Sequence, residues 1–90
     1  MKTARQIIVH GRVQGVWYRN WTVEAARDLG LTGWVRNRGD GTVEIHAEGE
    51  PAAIERLLTL AHEGPSAADV TGIDTADAAA EQGTGFEKRR

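Results

Sequence analysis

Apolar residues alternate from Gln6 to Val13 and then change period, and this switch constrains the fold more than any other feature of the chain. Ile7, Val9, Gly11 and Val13 fall on one face, and Gln6, Ile8, His10 and Arg12 on the other, which is the period-two pattern of a strand. From Asn20 to Leu29 the spacing is helical, with Trp21, Ala25 and Leu29 in one stripe and Gly30 placed to end the helix. The junction, Gly11 to Arg19, reads GRVQGVWYR. Its glycines, Gly11 and Gly15, free the backbone from ordinary steric limits, so that successive N–H groups can converge on one point.

The rest of the chain shows the same two periods. Gly33 to Arg38 and Thr42 to Glu48 read as two strands joined by a tight turn, Gly39-Asp40-Gly41. Val43, Ile45 and Ala47 alternate with Thr42, Glu44, His46 and Glu48, so one face of the sheet is expected to be open. Pro51 suits the first turn of a second helix whose Ile54, Leu57, Leu58 and Ala61 form an apolar stripe. Gly64-Pro65 stops it, and Ala68 to Ile73 supplies a short strand. The order is βαββαβ. Right-handed crossovers turn that order into an α+β, ferredoxin-like sandwich: an antiparallel sheet with two helices on one face. Asp74 to Gly85 reads as a loop, with room for a short C-terminal strand around Phe86.

Composition narrows the chemistry. Ninety residues, 40% of them hydrophobic, with no repeat or linker, fit a single domain over residues 1–90. The absence of cysteine removes disulfides, thiolate nucleophiles and cysteine-ligated zinc. No apolar run approaches the roughly 20 residues of a membrane span, and MKTARQIIVHG lacks the apolar core and cleavage site of a signal peptide. The expectation is a cytoplasmic monomer with no membrane partner. A net charge of −2 argues against nucleic acid as a partner, yet a local positive loop remains compatible with a small anionic ligand.

Arg19 is the first candidate site residue, because its guanidinium can grip two phosphate oxygens while backbone N–H groups of Gln14, Gly15, Val16, Trp17 and Tyr18 approach the rest. A surface pair with Asp28 or Glu24 is the alternative. The glycines are not followed by the Lys-Ser/Thr of a nucleotide P-loop, and their spacing fails the dinucleotide fingerprint, so the ligand is smaller. Asn37, near the end of a strand, can donate and accept at once and so orient a water molecule, or it can bond locally to the turn. Arg36 and Arg38 add positive potential and read as solvated. His10, His46 and His62 lack a well-spaced third ligand, so solvent-exposed histidines and no metal are expected. Ser66 has no evident base. Trp17 and Tyr18 serve either to pack against a substrate or to anchor the loop, and the sequence leaves both open. A non-catalytic module binding RNA, carbamoyl phosphate or another small anion is the alternative function. Glu44, His46 and Glu48 on the expected open face count against RNA.

Three segments in order, GRVQGVWYR (Gly11 to Arg19), LTGWVRNRGDG (Leu31 to Gly41) and GPSAADV (Gly64 to Val70), resemble the acylphosphatases. The resemblance implies a phosphate-cradling loop ending in Arg19, with Asn37 orienting the attacking water. It further implies hydrolysis of small acyl phosphates to a carboxylate and phosphate without a cofactor. Two departures concern the loop: Trp17 stands where a smaller residue is common and Tyr18 where phenylalanine is frequent. A third is the C-terminus, where Phe86-Glu87-Lys88 lacks the second apolar residue of a well-alternated strand.

Overall fold

In the computed structural model, which describes residues 1–90, the period-two segments become five strands and the helical segments two helices. They are β1 (Thr3–Arg12), α1 (Tyr18–Asp28), β2 (Thr32–Asn37), β3 (Val43–Gly49), α2 (Pro51–Ala61), β4 (Asp69–Asp77) and β5 (Phe86–Arg89). The sheet order is β4-β1-β3-β2-β5. Helix α1 packs on β2 and β5, and α2 on β3 and β1, so both cover one face. Ile7, Val9, Val35, Val43, Ile45, Ile54, Leu57 and Phe86 close the core between the layers. Neither helix is long and apolar enough to cross a membrane.

Helix α1 is rotated from its expected face. Tyr18, Thr22 and Ala26 are buried, whereas Trp21, Ala25 and Leu29 only flank the core. The cause is Tyr18, whose ring fills the space beneath α2 and whose hydroxyl donates to the Ala61 carbonyl at 2.6 Å. Burial pushes its phenol above the usual range, keeping it a donor. Thr22 tolerates burial because its hydroxyl donates to the Tyr18 carbonyl at 2.8 Å. The helix ends as expected at Gly30: its N–H bonds Arg27 at 3.0 Å and the Leu31 N–H bonds Ala26 at 2.9 Å, a Schellman closure.

The sheet departs from the sequence reading in three places. β4 runs to Asp77, so Asp74 to Asp77 are strand rather than loop, and they pair with β1 along its outer edge. β5 pairs parallel to β2, making the sheet mixed rather than antiparallel. The chain leaves β4, reverses while crossing the sheet, and meets β2, which runs opposite to β4. That crossing produces the third difference: the second face is not open. Glu48 accepts the N–H groups of Glu81 (2.7 Å) and Gln82 (3.1 Å), and the Trp34 indole donates to Glu81 at 3.0 Å. His46, expected to be exposed, is 4% exposed, stacked on Trp34 and bonded to Glu48 at 2.6 Å. Gly33 makes the close packing here feasible: at φ +140° any Cβ would lie 1.8 Å from the His46 carbonyl oxygen.

Burial pushes the Glu48 carboxyl up, but the N–H groups of Glu81 and Gln82 and the His46 ring outweigh it and hold it below the usual carboxylate range. Its native value is therefore the lower one, so its contribution to stability is complete above the unfolded value of about 4.3 and is lost as pH falls through the native value. Urea unfolding midpoints of the wild type are expected to drop on acidification below about pH 4.3, and Glu48→Gln is expected to flatten that drop while lowering the neutral-pH midpoint. An identical acid slope in the variant would contradict the assignment.

Candidate active site

The segment between β1 and α1 is held at both ends by burial. Val13 and Val16 are 1% and 5% exposed, and Tyr18, itself buried, anchors the start of α1 in the core. Gly15 and Trp17 take left-handed conformations, φ +74° and +66°, on either side of Val16. Such alternation curls a chain into a concave nest of N–H groups. None of the backbone N–H groups from Gln14 to Asn20 has an acceptor within the protein. No side chain caps α1 and its first turn carries no acid, so the positive end of the helix adds to the same electropositive region.

A cavity of about 250 Å³ lies against this segment. Gly15, Trp17, Tyr18 and Arg19 line it from the loop and the first turn of α1, and Asn37 lines it from the end of β2. Its volume falls just below the range of pockets that take drug-sized ligands. Arg19 is paired with neither Glu24 nor Asp28; its Nη1 donates to the Arg89 carbonyl at 2.9 Å, which braces it against β5. Gln14 and Val16 do not line the cavity. The Gln14 amide instead donates to the carbonyls of Arg38 (2.8 Å) and Thr42 (2.9 Å), tying the loop to the hairpin that follows Asn37. That hairpin is set by Asp40, whose carboxylate accepts the Thr42 hydroxyl at 2.6 Å and its N–H at 3.0 Å. These bonds hold its carboxyl below the usual range.

Trp17 and Tyr18, left open by the sequence, divide the two roles between them. Tyr18 is the core anchor, whereas Trp17 is 76% exposed beside the cavity. Arg36 points to the far face and binds Glu44 at 2.7 Å, and Arg38 lies 3.8 Å from Asp40. Asn20 and Lys88 also line the cavity and were not singled out from sequence. The signal for Lys88 was present, since it occupies the position that alternation after Phe86 would make apolar. No carboxylate lines this cavity.

A larger cavity of about 620 Å³ lies by β2 and β5, lined by Glu48, Glu81 and Glu87 against Arg27 and Arg89, so acids outnumber cations there. His46, Glu48 and Glu81 bring potential ligand atoms within 4.8 Å of one another on the far face. Their atoms are already engaged with each other, with Trp34 and with the 81–82 backbone.

Fold and site together define a small α+β sandwich with a cationic, anion-receptive cavity at the start of its first helix. The acylphosphatase family model matches residues 5–88. An acylphosphatase of Acidovorax sp. (strain JS42) is 53% identical over 85 residues, covering 94% of this chain and 88% of that protein. Solved acylphosphatases from Coxiella burnetii and Bacillus subtilis each superpose with a TM-score of 0.94 at 36% identity. The first alignment covers 98% of this chain and 93% of the other, and the second covers 100% of both. The chain belongs to the acylphosphatase family. It is an enzyme that hydrolyses the carboxyl–phosphate bond of small acyl phosphates.

The left-handed Trp17 carries a stability cost that can be measured. That conformation costs a non-glycine residue about 1–2 kcal/mol, while glycine loses about 0.5–1 kcal/mol more backbone entropy on folding. Trp17→Gly is therefore expected to stabilise by up to about 1.5 kcal/mol, read as a higher urea midpoint at unchanged m-value.

Proposed function

We propose that Arg19 and Asn37 carry the acylphosphatase reaction, Arg19 by holding the phosphoryl oxygens and Asn37 by orienting the water that attacks phosphorus. The observation behind this reading is that the two side chains line one small cavity, on separate elements, beside seven backbone N–H groups that no protein acceptor uses. The loop N–H groups of Gly15, Trp17 and Tyr18 bind the remaining phosphoryl oxygens, while those of Gln14 and Val16, which do not line the cavity, add to the positive potential around it. Water adds to phosphorus as the bond from phosphorus to the carboxylate oxygen breaks: R–CO–OPO₃²⁻ + H₂O → R–COO⁻ + H₂PO₄⁻. The water's proton passes to a phosphoryl oxygen. The leaving carboxylate needs no general acid, because carboxylic acids ionise near pH 4.

Phosphoryl transfer passes through a loose transition state in which charge is spread over the equatorial oxygens, so positioned donors supply most of the catalysis. Arg19 and the loop N–H groups act on that charge. Asn37 acts on the nucleophile, with its carbonyl accepting from the water and its amide free to donate. Every group invoked belongs to this chain or to the substrate. The same reading has the enzyme working as a cytoplasmic monomer, the cytoplasm being in keeping with a cysteine-free chain.

With benzoyl phosphate as substrate and inorganic phosphate as inhibitor, Arg19→Ala is expected to lose turnover and phosphate affinity together. Asn37→Ala is expected to lose turnover by about a hundred- to a thousand-fold while keeping phosphate affinity. Unchanged turnover in Arg19→Ala sinks the assignment.

A further inference from the structure

We propose that Lys88 is a second cationic ligand for the phosphoryl group, facing it from β5. This rests on the reading that the cavity of Arg19 and Asn37 receives phosphate.

Lys88 is exposed, yet it breaks the alternation expected of a strand with one face toward the core. Phe86 faces the core at 2% exposure, and two residues later the same face comes round again. In the parallel ladder Lys88 sits opposite Val35, which is fully buried on the helix side. An apolar residue would continue that face. A lysine there directs its charge toward the helix layer at the point where α1 begins, and it lines the same cavity as Arg19 and Asn37. It makes no ion pair, although the other basic residues of the C-terminal half of the sheet, Arg36 and Arg89, each have a carboxylate partner. It also makes no side-chain hydrogen bond, whereas its neighbour Arg89 accepts Arg19 at its carbonyl.

The charge balance favours phosphate as its partner. An acyl phosphate presents two negative charges at the phosphoryl group, and the cavity offers one guanidinium apart from Lys88. A second full positive charge brings the bound state to neutrality, and the absence of any lining carboxylate leaves the ammonium available. Arg19 is braced through Nη1 on the Arg89 carbonyl, one residue from Lys88, so the two cations approach the ligand from adjoining positions. Their roles differ: Arg19 provides planar, directional donors, and Lys88 provides a flexible point charge.

The test is inhibition by inorganic phosphate, with turnover of benzoyl phosphate, in Lys88→Met and Lys88→Arg. Lys88→Met is expected to raise the phosphate inhibition constant and lower kcat/KM, each by about ten- to a hundred-fold. The effect should shrink at high salt. Folding is expected to be retained, because methionine suits the face shared with Phe86 and Val35. Lys88→Arg is expected to restore phosphate affinity to within a few-fold of wild type. An unchanged inhibition constant in Lys88→Met overturns the proposal, as does an equal loss in Lys88→Arg. So does a loss seen with succinyl phosphate but with neither inorganic phosphate nor butyryl phosphate, because Lys88 would then serve an anionic acyl group. Inactivity of Arg19→Ala alongside wild-type phosphate inhibition in Lys88→Met removes Lys88 alone. Full activity of Arg19→Ala removes the site reading itself.

Discussion

The structure depends on keeping a run of backbone N–H groups free of internal partners at the start of α1. Folded chains pair nearly all their buried amides, and a loop left to itself would turn its N–H groups onto its own carbonyls. Here burial prevents that collapse. Val13, Val16 and Tyr18 are each drawn into the core, and the exposed backbone between these buried points curls outward. Left-handed conformations at Gly15 and Trp17 make that curl. Glycine meets the requirement without strain, whereas tryptophan tolerates it only because the neighbours on both sides are held by packing.

The same pinning explains why groups of the candidate site converge from distant parts of the chain. Tyr18 ties the loop to the end of α2, Gln14 ties it to the β2–β3 hairpin, and Arg19 and Arg27 tie α1 to carbonyls of β5. Each brace joins the anion loop or α1 to a different element. Asn37 is thereby fixed relative to Arg19 through Gln14, which touches both sides of the hairpin base. A loop tethered at one end only would leave such positions free to drift by about the 1 Å that can cost a hundred-fold in rate. Gln14 thus contributes its side chain to alignment, a role that the sequence motif alone does not reveal.

Much of the architecture was legible because the segments keep their periods. Ile7 and Val9, Val43 and Ile45, and Ile54 and Leu57 lie inside as their spacing required. Arg19 and Asn37 were legible as chemical types at the ends of predicted elements, and their shared cavity is a tertiary fact that no spacing encodes. What escaped was set by long-range packing. The buried face of α1 turned because Tyr18 found a partner on Ala61, forty-three residues away. His46 and Glu48 carry the polar signature of an open sheet, yet they are buried because the 81–82 backbone needed acceptors and Glu48 supplied them. The length of β4 was hidden by its small, acidic sequence, which suits an exposed edge as well as it suits a loop.

Strand parity then explains why the acids do not quench the site. Along β2, Val35 and Asn37 share one face, and Trp34 and Arg36 share the other. Arg36 therefore meets Glu44, while Asn37 meets the anion loop. Burial pushes the Glu44 carboxyl up, but the hydrogen bonds from Gln6 and Arg36 outweigh it and keep it ionised on the far side. A slip of one residue in the β2–β3 register would exchange Asn37 for Arg36 at the cavity and bring the acid-binding face to bear on the loop. A chain with net charge −2 can thus hold a cavity lined by cations and no carboxylates, because the pleat sends its acids to the other surface. Register, fixed by the buried valines and isoleucines, is in this sense an electrostatic determinant of the cation-lined cavity as much as a determinant of the fold.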